Sequence, residues 1–102
     1  MAALSDVSEK LLLDFLMTAG TATRPTAWYI ALYTAAPNDA GGGTEVSGGG
    51  YARKTVAWDA AASPGGTTQN TGVVTWTASG GAFGTVTHIG IHSASSGAGN
   101  LL

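Results

Sequence analysis

The chain has 102 residues, enough for one small domain with a single core and too few for a second. Only 10% are charged, against roughly a quarter in an ordinary soluble domain. Four Lys and Arg with a net charge of −2 exclude a groove that neutralises nucleic-acid phosphates, and the lack of cysteine excludes disulfide staples and thiolate metal sites.

In chain order, Asp6-Val-Ser-Glu9 reads as a capping box and predicts an amphipathic helix over about residues 5–19. Val7, Leu11, Leu12, Phe15 and Leu16 recur at helical spacing, Glu9, Lys10 and Asp14 lie mostly off that stripe, and Gly20 offers a C-cap. Such a face is expected to cover a sheet, because it lacks the cationic row of interfacial helices. The apolar run Leu11–Leu13 is far short of a spanning length, and no basic segment precedes it, so no membrane partner is expected.

The first strand is predicted over residues 27–34, where Trp28, Ile30 and Leu32 alternate with Tyr29, Ala31 and Tyr33. A glycine-rich loop, residues 38–50, follows. Further strands are predicted over residues 51–58, 71–77 and 85–92, separated by a linker with Pro64-Gly-Gly and a turn at Ser79-Gly-Gly. This pattern is mainly β with one N-terminal helix, a small β-sandwich or partly open barrel in one domain, 1–102. Trp28, Trp58 and Trp76 share strand faces with aliphatic residues and are expected in its core. Leu101 and Leu102 come after a turn-like run, either closing the sheet or beginning another strand.

The loop carries two glycine triplets, Gly41, Gly42, Gly43 and Gly48, Gly49, Gly50. Glycine loses more chain entropy on ordering than any other residue, so six of them in one loop require a compensating contact. Phosphate cradling does not supply it: the run lacks the Gly-Lys-Ser/Thr ending of a P-loop. The expected role is an assembly loop ordered against neighbouring subunits, formed by Asp39, the six glycines, Glu45, Tyr51 and Arg53. All ten charged residues lie between Asp6 and Asp59, leaving Ala60–Leu102 neutral. A neutral polar surface is covered by a partner at low desolvation cost, and Thr75, Thr77 and Thr87 are the outward strand positions expected at such an interface.

Catalytic chemistry is not indicated. His88 and His92, four apart on a strand, are separated by about 13 Å and do not share one ion. Asp39 and Glu45 flank a glycine hinge that fixes no separation for acid–base work, and Ser47, Ser63 and Ser79 lie in no Gly-x-Ser-x-Gly elbow. No catalytic, metal or cofactor-binding residues are therefore expected. Flat aromatic faces raise a glycan-binding alternative, for which Tyr29, Tyr33 and Tyr51 are the outward-facing candidates.

The segments Trp28-Tyr-Ile-Ala-Leu-Tyr-Thr-Ala-Ala-Pro37, Asp39-Ala-Gly-Gly-Gly-Thr-Glu-Val-Ser-Gly-Gly-Gly-Tyr-Ala-Arg53 and Phe83-Gly-Thr-Val-Thr-His-Ile-Gly-Ile-His92, with Gly99-Asn-Leu-Leu102, together resemble small tailed-bacteriophage virion proteins of the tail-fibre-like or minor structural type. The resemblance covers nearly the whole chain. It implies a non-enzymatic virion part whose partners are other virion proteins, the major capsid protein or tail proteins, and copies of itself. Of the two attachment sites, a chain without repeats or heptads cannot build a shaft. A capsid cement subunit is accordingly the first expectation, and a tail or tail-fibre-associated subunit the second.

Overall fold

A computed structural model describes residues 4–18, 21–62, 65–97 and 100–102. One helix, α1 (Asp6–Leu16), precedes four strands: β1 (Tyr29–Ala35), β2 (Thr44–Glu45), β3 (Lys54–Thr55) and β4 (His88–His92). The strands form one antiparallel sheet with β1 at its centre. On one edge β1 pairs along its length with β4, from Tyr29↔His92 to Tyr33↔His88. Its other edge is shared, with β3 at Tyr29 and Ile30 and β2 at Tyr33 and Ala35. The architecture is mainly β with an N-terminal helix, and the sheet does not close into a barrel.

β1 forms where the sequence alternates most clearly, and the register decides which alternate set is enclosed. Ala31 and Tyr33 are fully buried together with Gly90 and His92 of β4, whereas Ile30, Leu32 and Ile91 on the other face are only half-buried. The face read from the sequence as the core, Trp28-Ile30-Leu32, is thus the less enclosed one. Leu101 explains the inversion: it bridges to His92, and its side chain lies over Gly90. A Cβ on Gly90 would stand 2.9 Å from the Tyr33 ring and 3.0 Å from Leu101, so this position has room only for glycine.

Two short strands replace longer expected ones. The segment 51–58 pairs with β1 only at Lys54–Thr55, after which Trp58 bridges to Asn70 and a hairpin continues through Asp59 N–H to Gln69 O. Residues 71–77 join no ladder among the described residues; Trp76 Nε1–H donates to Ala52 O at 2.8 Å and ties this stretch to the sheet. No second sheet faces the first among the described residues, so the sandwich form of the expectation is not what these residues build.

The cap of α1 is Ser5 rather than Asp6. Ser5 Oγ accepts from Ser8 N–H at 3.2 Å and donates to Leu101 O at 2.6 Å, so the cap also fastens the helix to the C-terminal segment. Asp6 N–H donates to Asp39 O at 3.1 Å, a second tether. The helix ends at Leu16, with Met17 N–H bonded to Leu13 O; Ala19 and Gly20, expected as its end and cap, lie outside the described residues. Val7 and Leu11 line an open cleft together with Pro25 and Leu102, but none of the helix is buried, and Leu12, Leu13, Phe15, Leu16 and Met17 are exposed. The expected docking of the apolar stripe on the sheet does not occur, because Ser5 and Asp6 hold only the first turn against it.

Candidate functional site

The glycine loop is built into the sheet. Asn38 opens it with a side-chain turn, its Oδ1 accepting from the N–H groups of Ala40 and Gly42 at 3.0 Å each. Gly41, Gly43, Gly48, Gly49 and Gly50 all take positive φ. At Gly43, φ is +89° and an added Cβ would sit 2.6 Å from Ala36 O, so glycine is required by the loop's own close approach to the end of β1. Between the triplets, Thr44 and Glu45 form β2 and Val46 is buried, its N–H bonded to Leu32 O at 2.9 Å. Within the second triplet, Gly49 O accepts from Ser79 N–H and Gly48 O from Tyr51 N–H. Much of the loop's ordering cost is therefore met within the subunit.

Glu45, Tyr51 and Arg53, expected on an assembly surface, converge instead on one internal network. Arg53 Nε and Nη2 hold the two oxygens of Glu45 at 2.8 Å each, a bidentate pair. Nη1 donates to Ala94 O and to Asn100 Oδ1, and Nη2 also donates to Gly97 O. All five guanidinium N–H groups are used, and the side chain is 3% exposed. Tyr51 O–H donates to Glu45 Oε2 at 2.6 Å while accepting from Leu32 N–H, and its ring meets Phe83 edge-on. From Asn100 the chain of bonds continues to His92 Nδ1 at 2.7 Å, and from His92 Nε2 to Tyr33 O–H at 2.7 Å. Since Asn100 Oδ1 can only accept, Nδ1 carries the proton of a neutral His92 and Nε2 accepts from Tyr33.

The electrostatics follow from this geometry. The Arg53 guanidinium holds the Glu45 carboxyl below the usual range, against the opposing effect of burial. Burial first, then the bond to Glu45, pushes the Tyr51 phenol up to about 12. His92 is driven down by burial with Arg53 adding to it, although the bond to Asn100 works the other way. Tyr33 is raised by burial and by Glu45. These shifts hold every member in the protonation state its bonds require, and no buried side-chain polar atom among the described residues lacks a partner. Network and sheet together clamp Ala94, Gly97, Asn100 and Leu101 against the enclosed face.

Tyr33, read from the sequence as outward-facing, is 2% exposed, so the aromatic surface proposed for glycans loses that member and much of Tyr51. His88 stands exposed beside Thr87, while His92 is sealed in the network; among the described residues no three His, Asp or Glu gather as metal ligands. Thr75, Thr77 and Thr87 are all exposed. Sequence reasoning missed Ser5, His92 and Asn100 as structural anchors; the one available signal was the polar residue directly before the terminal leucines. No helix among the described residues is long and apolar enough to cross a membrane.

No curated protein and no solved structure matches the chain. A family model described as podophage GP4 fiber I protein gp80 matches residues 3–102, the same span that carries the helix, the glycine loop and the clamped C-terminal segment. The chain therefore belongs to the podophage GP4 fiber I protein gp80 family, and it is a small structural protein of the tailed-phage virion.

Proposed function

We propose that the protein is a non-enzymatic structural subunit of a tailed-phage virion, associated with the tail or its fibres. The observation that carries this reading is the family match across residues 3–102, whose description is that of a podophage fibre protein. It favours the tail side over the capsid cement role expected from chain length. Among the described residues, Glu45, Tyr51, Arg53, Tyr33 and His92 are bonded within one network that ties β1 and β2 to the C-terminal segment, which suits a structural part.

Its partners are other virion proteins, with the neutral second half as the contact surface. Thr75, Thr77 and Thr87 present hydroxyls without formal charge, which a partner covers at low desolvation cost once they find hydrogen bonds. Asp39 and Gly48, the outer parts of the glycine loop, are exposed and serve as further contacts. Labelled antibody against the protein, viewed on intact particles, tests the position: decoration at the tail vertex is expected, and decoration spread over the head lattice would restore the cement reading. Single Lys substitutions at Thr75, Thr77 and Thr87 test the surface, with reduced incorporation into particles expected at low and high salt alike. Normal incorporation of all three would remove this face from the interface.

A further inference from the structure

His92 is fully enclosed, and both ring nitrogens are committed in its neutral form. Nδ1–H donates to Asn100 Oδ1, which also accepts from Arg53, and Nε2 accepts from Tyr33 O–H. A second proton on the ring turns Nε2 into a donor facing a donor. The buried Tyr33 hydroxyl has no other acceptor among the described residues, so when it accepts from an imidazolium its own proton is left unbonded.

The surroundings do not neutralise the added charge. Tyr33 and, directly across the ladder, Tyr29 lie beside His92 on β1, while Glu45 acts on it from β2 and Arg53 from the residue before β3. The C-terminal segment brings Asn100 and Leu101, which do not titrate, and His88 on β4 is exposed and bonded to Thr87. Glu45 already holds Arg53 on both oxygens and Tyr51 on one, so its charge is matched before His92 gains any. An imidazolium at this position therefore requires water.

The cover over His92 is the part able to admit it. Asn100 and Leu101 lie outside the helix and the four strands, and among the described residues this cover meets β4 and its next residue through two backbone bonds, Ser93 N–H to Asn100 O and Leu102 N–H to Ile91 O. β4 itself pairs with β1 over five residues, and Glu45 and Arg53 keep their bidentate pair whether or not Asn100 stays. Through Ser5 Oγ, which donates to Leu101 O, the cover also anchors the cap of α1.

We propose that His92 is an acid-operated latch: its protonation releases Asn100 and Leu101 from β4, frees the capped end of α1 with them, and leaves the sheet folded. The device belongs to the subunit alone and goes beyond its place on the virion. Because the hydrated imidazole titrates near about 6.5 and the enclosed one lower, the ratio of open to closed subunits rises about tenfold between pH 7.5 and 5.5. Arg53 holds the Glu45 carboxyl below its usual range, so Glu45 stays ionised throughout that window.

Amide hydrogen exchange of the full chain, read by NMR and corrected for the intrinsic pH dependence of exchange, tests the latch. Ser93 N–H and Leu102 N–H are expected to be at least about tenfold less protected than Val46 N–H and Val56 N–H, which bond to Leu32 O and Trp28 O in the sheet. Their protection is expected to fall by a further factor of about ten from pH 7.5 to 5.5. His92→Gln removes the titrating ring and should abolish that fall, whereas His88→Gln should leave it intact. Asn100→Asp places a carboxylate on Nδ1–H, stabilises the imidazolium under its cover and should cut the fall to less than about threefold. Protection at Ser93 and Leu102 equal to that of the sheet amides overturns the proposal, since the cover then opens only with the whole fold. Protection independent of pH, or a fall undiminished in His92→Gln, overturns it as well. Should His92→Gln not fold, an undiminished fall in Asn100→Asp is the overturning result.

Discussion

Arg53 Nη1 donates to Asn100 Oδ1 at 3.1 Å across a sequence separation of 47 residues, joining the residue before β3 to the last turn of the described chain. The same guanidinium holds Glu45, Ala94 and Gly97, so one side chain fixes β2 and the C-terminal segment relative to each other.

Replacing that side chain should be severe. Arg53→Met leaves the Glu45 carboxylate without its bidentate partner and removes the Arg53 bonds to Ala94 O, Gly97 O and Asn100 Oδ1, the last of which keeps only His92, a loss of about 3 kcal/mol in urea denaturation. Arg53→Lys should recover little, because an ammonium cannot reproduce the planar fork. Pairing Arg53→Met with Glu45→Leu should cost clearly less than the sum of the single changes. Strict additivity would mean that the two residues do not act as a unit.

Stability should fall on both sides of neutrality, for different reasons. His92 is held below its ordinary value of 6.5, so the unfolded chain takes up that proton first and stability declines as pH drops through and below 6.5. Glu45, also lowered, adds a second loss as pH falls below its ordinary 4.5 towards its folded value. Tyr51, raised to about 12, contributes stability that is complete below 10 and lost as pH rises from there to about 12. Denaturation midpoints across this range check the signs, and His92→Gln should flatten only the first acid step. A rise in stability between pH 6.5 and 5 would contradict the neutral tautomer assigned to His92.

Glycine substitutions in the loop should separate two physical causes. Gly48→Ala meets nothing within 4 Å and carries only the positive-φ penalty of about 1 kcal/mol. Gly43→Ala carries the same penalty and also forces a Cβ against the backbone of Ala35, Ala36 and Pro37, for a total of about 2–3 kcal/mol. Thermal denaturation of the pair is sufficient. Equal losses would show that the end of β1 yields to the added methyl.

The helix cap gives a sharper contrast between neighbours. Ser5→Ala removes the cap and the buried bond to Leu101 O, and should cost about 1–2 kcal/mol. Asp6→Ala keeps the backbone N–H that bonds to Asp39 O and should change stability by no more than about 0.5 kcal/mol. If Asp6→Ala is the more damaging change, the cap assignment is wrong.

Local sequence determined the helix at the N-terminus, the strand around Tyr29–Thr34, the strand ending at His92 and the turns between them, because periodicity and turn chemistry act over a few residues. It also determined the uncharged second half and the lack of any recognisable catalytic pattern. Its alternation pointed to the wrong face of β1, Trp28-Ile30-Leu32, because Tyr29-Ala31-Tyr33 is apolar enough to face a core as well. Only the tertiary structure decided that. The return of Leu101 over Gly90 places Tyr33 and His92 inside, and a neutral histidine, a fully bonded arginine and an asparagine satisfy the polar atoms enclosed with them. The same long-range closure turned Glu45, Tyr51 and Arg53 inward from the glycine loop and left the apolar half of α1 outside. Contacts between residues 45, 53 and 100 depend on how the whole chain folds back, and no local propensity or spacing encodes them.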